Sequence, residues 1–103
     1  NEMKMKVAFA QGDGAALAQA GFQFFAADRK HHQENYAPVK AWWYKEAAGK
    51  VAGFVDQLIM CKADTGSIKK GIALYGELRR LGGHAVESQY DYRQFIYPQG
   101  GAK

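Results

Sequence analysis

Alanine sets the terms for this chain. It occurs 17 times, against 20 residues of Leu, Ile, Val and Phe taken together, and there are 14 aromatic side chains. A core drawn from such a set must place a few large rings against many small positions. Small residues let elements approach closely, and rings fill what remains. The 103 residues amount to one domain. A hydrophobic share of 48% with 23% charged residues is that of a globular chain rather than a disordered one. A domain this small buries only somewhat over roughly 60% of its unfolded surface, so its stability margin is thin and self-association adds to it.

Several function classes are set aside early. No apolar run approaches the roughly 20 residues that span a bilayer. Met3-Lys4-Met5-Lys6 is followed by only four apolar residues before Gln11, too few for a secretory signal. The expectation is a cytoplasmic protein without a membrane partner. Cys61 is the single cysteine, which excludes an internal disulfide framework and a cysteine-rich zinc site. Fourteen Lys and Arg face ten Asp and Glu, a net charge of +4. That suits an acidic partner, but solubility alone accounts for a net charge of about this size.

Residues 3–9 alternate: Met3, Met5, Val7 and Phe9 against Lys4, Lys6 and Ala8. This predicts a half-buried strand. Gln11-Gly12-Asp13-Gly14 is a turn, with Asp13 placed to cap a helix from about Ala15, whose apolar face runs Leu17, Ala20, Phe24, Ala27, His31. Pro38 suits a helix first turn. From there to Lys62, the residues Tyr44, Ala47, Ala48, Val51, Phe54, Val55, Leu58 and Ile59 occupy a sector of about 140° on a helical wheel, predicting a long amphipathic helix. Asp64-Thr65-Gly66-Ser67 breaks the chain and supplies new caps. A third helix follows through Ile68, Gly71, Ile72, Tyr75, Leu78 and Leu81, ended by Gly82-Gly83. Alternation returns from His84 to Tyr97, predicting a second strand. The expected fold is α+β, strand–three helices–strand, a two-stranded sheet on a helical layer. It forms one domain over 1–97, with a flexible tail over 98–103.

The middle has a second reading. Trp42 to Val55 also fits a hairpin with Gly49-Lys50 as the turn and Gly53 as a strand irregularity. With a strand at Lys6 to Ala10, a polar turn and a helix from Ala15, this arrangement resembles the GCN5-related N-acetyltransferase family. Lys70-Gly71-Ile72-Ala73 resembles that family's pyrophosphate loop, whose backbone N–H groups hold coenzyme A at a helix N-terminus. The resemblance implies a mixed α/β domain that binds an acyl-CoA. Two departures stand against it. Ile68 falls where the family has Arg or Gln, and Cys61 to Ser67 leaves no room for a fourth strand.

No catalytic set emerges. His31 and His32 are adjacent and diverge by about 100° on a helix, so they do not share one ion easily, and His84 is remote. Cys61 sits near a helix C-terminus, where the dipole opposes a thiolate. Gln11-Gly12-Asp13-Gly14 lacks the Gly-Lys-Ser/Thr of a phosphate loop. Tyr90, Tyr92, Phe95 and Tyr97 read as core rather than as base-stacking rings. No catalytic, cofactor or metal residue is therefore expected, and the balance leans away from an enzyme. What remains is interaction. Gly49 and Gly53 lie on one line of the polar side of the long helix, with Met60 on the same stripe, and bare positions let another helix come close. Trp42 and Trp43 are adjacent and cannot both enter one core, so one is a candidate interface anchor. The expected function is a small non-enzymatic binding or regulatory protein with a protein partner, self-associating as a homo-oligomer. The alternative is nucleic-acid binding through Lys69, Lys70 and Arg80 on the third helix.

Overall fold

The computed structural model describes residues 2–83. These form four helices: α1 (Glu2–Ala10), α2 (Gly14–Asn35), α3 (Ala41–Met60) and α4 (Thr65–Gly82). No strand occurs among the described residues, so the α+β expectation, its two-stranded sheet and the mixed α/β alternative are all corrected to an all-helical bundle. The second strand over His84 to Tyr97, with its aromatic residues, and the tail over 98–103 lie outside the described residues.

The first strand is a helix for local and tertiary reasons. Glu, Met, Lys and Ala, which make up most of α1, are good helix formers. Hidden within the alternation is a helical spacing: Met5, Ala8 and Phe9 pack onto the core, while Met3 and Val7 stay exposed. The end of α1 is also chemically specified. Gly12 adopts φ +69°, the Asp13 N–H donates to Ala8 O at 2.9 Å and the Gly12 N–H to Phe9 O at 3.0 Å. This pair of bonds closes a helix C-terminus through a left-handed residue, the role that favours glycine. Asp13 then caps α2, its Oδ1 accepting from the Ala16 N–H at 3.0 Å.

The turn between α3 and α4 repeats this plan. Lys62 takes φ 55°, the Ala63 N–H donates to Leu58 O and the Lys62 N–H to Ile59 O. Asp64 accepts from the Ser67 N–H at 2.9 Å and from its hydroxyl at 2.8 Å. The hydrogen bonds to Ser67 hold the Asp64 carboxyl below its ordinary range. The described residues thus form two helical hairpins, each closed by a left-handed residue and restarted by an aspartate cap.

Helix α3 runs without interruption through Gly49-Lys50, which removes the hairpin reading. Pro38 falls before it, in the connection from α2, and Lys40 occupies the N-cap position. Lys70-Gly71-Ile72-Ala73 lies inside α4, beyond the first four residues. Its N–H groups are taken up by carbonyls one turn back and are not offered to a pyrophosphate. The acetyltransferase resemblance ends there.

The core lies between the hairpins. Leu17, Val51, Val55 and Leu58 are its largest fully enclosed side chains. In α3 the buried set is Ala47, Ala48, Val51, Ala52, Phe54, Val55 and Leu58, and in α4 it is Ile68, Gly71, Ile72, Tyr75 and Leu78. These two helices make the most extensive contact. Helix α2 meets α3 through rings: Phe22 and Phe25 lie 5.2 and 5.4 Å from Phe54, and such pairs add about 0.5–1.5 kcal/mol each beyond area burial. Gly21 makes the approach possible, since a Cβ there would run into the Phe54 ring. The face of α2 is accordingly turned from its expected one. Phe25 is buried and Phe24 half-buried, Ala27 and His31 are exposed, and His32 packs inward.

Candidate interaction surface

The buried side of α3 centres on Val51 and Leu58, so the opposite side is left to the surface. At about 100° per residue, Trp42, Gly49, Gly53 and Met60 fall within about 40° of one another on that side. They form a line about 27 Å long at 1.5 Å rise per residue. Trp42 is 60% exposed and Met60 53%. Gly53 is exposed, and a Cβ added there would meet nothing within 4 Å. Gly49 is half-buried. The two large side chains thus stand at the ends, with half-buried Gly49 and exposed Gly53 between them.

Trp42 rises as a fin between two shallow hollows. One, of about 500 Å³, is lined by Trp42, Lys45, Glu46, Gly49 and Lys50. The other, of about 400 Å³, is bordered by Asp28, His32, Tyr36 and Trp43. Trp43 does not share this role. Its indole stacks on the His32 ring at 4.5 Å and 19°, and Tyr36 stacks on His32 at 4.9 Å. This three-ring stack fastens the end of α2 to the start of α3. Of the five residues the sequence proposes for an interface, the structure aligns Trp42, Gly49, Gly53 and Met60 and sets Trp43 into the packing.

Helix α4 presents a second line, Lys69, Ala73, Gly76 and Arg80, all exposed. Gly76 too has nothing within 4 Å of an added Cβ. Lys70 is exposed but stands about 100° round the helix from Lys69, its Nζ 4.5 Å from the centre of the Phe22 ring. Lys69 and Arg80 therefore share one line, while Lys70 covers an α2 ring. The one acidic residue of α4, Glu77, accepts from Arg29 at 3.3 Å. Arg29 also lies over the Tyr44 ring at 5.6 Å, so this single side chain joins α2, α3 and α4.

The sequence gives no hint of the His32–Trp43 stacking or of the Arg29–Glu77 bridge, since these partners are 11 and 48 residues apart along the chain. Cys61 is half-buried at the C-cap of α3. Among the described residues, no three His, Cys, Asp or Glu side chains group as metal ligands. Likewise, no described helix is long and apolar enough to cross a membrane. Compared with protein-family models, with curated proteins and with solved structures, the chain matches none of them.

Proposed function

We propose that the protein is a non-enzymatic binding module that acts through a protein interface on the outer side of α3. The observation that carries this reading is Trp42, a large ring 60% exposed at the end of a line on which Gly53 faces open space. Exposed tryptophans flanked by hollows are the anchors that interfaces favour. Interior glycines weaken a helix by about 1 kcal/mol each relative to alanine, and Gly53 has no neighbour within the described chain that requires its small size.

A photo-crosslinking residue placed at Gly53 tests the reading in the cells that make the protein. Protein adducts are expected at position 53, and they are expected to disappear when Trp42→Ala is added. No protein adduct at position 53, or the same adducts from an exposed control such as Lys30, removes the reading.

A second reading rests on α4. Lys69, Ala73, Gly76 and Arg80 form an exposed line whose only charges are positive, the pattern that admits the backbone of a nucleic acid.

A further inference from the structure

We propose that the groove between α2 and α4 binds a free carboxylate carried on an unbranched apolar chain of medium length, a fatty acid. This site is separate from the outer side of α3 and goes beyond the interface reading. The groove has a volume of about 360 Å³, within the roughly 300–1,000 Å³ of small-molecule sites. Phe22, Phe25, Ala26 and Leu74 make its apolar wall, and Arg29, Lys30 and Lys70 supply its charge. An apolar wall with a few polar groups at defined places is what holds and orients a small ligand. The two helices run the same way past the groove. Phe22 stands beside Lys70, and Arg29 stands beside Glu77, seven residues further along each helix. The apolar stretch between those two levels is therefore about 10 Å long.

Charge fixes the sign of the ligand and the way it lies. Three cations line the groove and no acid does. Glu77, bonded to Arg29, offsets one of them, so the surplus is positive. At the Phe22 end the Lys70 ammonium faces a ring, 4.5 Å from its centre, and the lysine stem adds to the apolar wall. The other end differs, because Arg29, Lys30 and Gln33 come together there. Arg29 is held in place by Glu77 at 3.3 Å and by the Tyr44 ring at 5.6 Å, and its side chain is 25% exposed. The bond to Glu77 is longer than the roughly 2.7–2.9 Å of a tight charged pair. It engages Nη2 alone, and the enclosed Nε has no hydrogen-bond partner. An oriented guanidinium with donors left over, beside a lysine, suits a carboxylate. The head group is thus placed at Arg29 and Lys30, with the Gln33 amide as a further donor. The chain runs back over Phe25, Ala26 and Leu74 towards Phe22. The hollow between α1 and α2, of about 400 Å³, has Lys4 as its one charged lining residue and lacks such a cluster.

Calorimetric titration of the full chain with decanoate measures the binding. A dissociation constant of about 0.1 mM is expected for about a dozen heavy atoms in an open groove. Decyltrimethylammonium, a chain of the same length with the opposite charge, is expected to bind at least about tenfold more weakly. Lys30→Glu, at an exposed position, is expected to weaken decanoate about tenfold. Lys69→Glu makes the same charge change on the outer α4 line and is expected to leave the affinity within about twofold. Ala26→Glu sets a carboxylate in the middle of the apolar wall, also at an exposed position. It is expected to abolish binding while keeping the circular dichroism of the parent. No binding of decanoate at about fifty times the expected constant overturns the proposal. Equal affinity for the cationic chain also overturns it, because that is adsorption to any apolar surface. So does binding that either Lys30→Glu or Ala26→Glu leaves unchanged, or that Lys69→Glu weakens as much as Lys30→Glu. None of these outcomes bears on the outer α3 face, since no residue of its line borders the groove.

Discussion

On α3 the outward line runs Trp42, Gly49, Gly53, Met60; on α4 it runs Lys69, Ala73, Gly76, Arg80. Both lines place small residues between large ones, and both carry a glycine with nothing within 4 Å of an added Cβ. The backbone geometry is the same, so the difference lies in what frames the small positions. Rings and thioethers with mixed charges at their sides suit a desolvated protein contact. Two cations at the ends suit a polyanion and repel a second copy of themselves. A bare helix line thus opens a surface to close approach, and the residues around it decide which partner approaches.

The largest effect that separates the two faces is salt dependence. If α4 binds nucleic acid through Lys69 and Arg80, with Lys70 held over Phe22, two phosphate contacts give a log–log slope of about −1.8 on duplex DNA, and affinity falls about forty-fold between 25 and 200 mM salt. Fluorescence anisotropy across a salt series measures this. Replacing Lys69 and Arg80 by Gln is expected to flatten the slope nearly to zero, whereas Trp42→Ala is expected to leave it unchanged. Absence of binding at low salt removes α4 as a nucleic-acid face.

Next in size is the contrast between inward and outward glycines. A Cβ on Gly82 would meet the Lys45 backbone nitrogen and lie 2.8 Å from the Tyr44 carbonyl carbon. Backbone does not yield as a side chain does, so Gly82→Ala is expected to lower stability by about 2 kcal/mol in denaturant melts. Gly76→Ala, facing open space, is expected to raise it by up to about 1 kcal/mol, as is Gly53→Ala. If Gly76→Ala destabilises at all concentrations, the α4 line is covered within the chain and the likeness between the two faces breaks.

The smallest expected effect concerns how the two helices begin. Asp64 caps α4 through Ser67, whereas Lys40 at the start of α3 makes no side-chain capping bond. Because the folded Asp64 carboxyl is held below its ordinary 3.8, its contribution is present above that value and is lost as pH falls through the lower folded value. Thermal melts from pH 5 to pH 2 are expected to show a stability difference between the parent and Asp64→Asn that shrinks on acidification. A difference constant across that range breaks the assignment.

Much of the helical plan was legible. The sector from Tyr44 to Ile59 named the buried side of α3 apart from Ala52, and the spacing from Ile68 to Leu78 named that of α4. Leu81 alone turned out, at 43% exposed. Asp13 caps a helix where the sequence put one. The opening segment misled because four apolar residues in seven fit a strand period as well as a helical one over so short a run. In α2 the rings at 22, 24 and 25 surround too much of the wheel for periodicity to choose a face. The outward line of Trp42, Gly49, Gly53 and Met60 could be read from spacing. That Trp43 would turn onto His32 and Lys70 onto Phe22 could not.

What the sequence by itself determined is therefore what local spacing controls: the caps at Asp13 and Asp64, the turn over residues 11–14, the wheels of α3 and α4, and the alignment of residues along one helix. These depend on neighbours three to seven residues away, whose relative positions the helix itself fixes. The tertiary structure decided between strand and helix for α1, where local propensity favoured the helix and alternation the strand, because Met5, Ala8 and Phe9 found α2 and the core beneath them. Only it rotated α2 to put Phe25 and His32 inward, and only it divided Trp42 from Trp43. Those outcomes turn on Phe54 and the His32 ring, which are remote in sequence from the residues they place. No local period carries contacts of that kind.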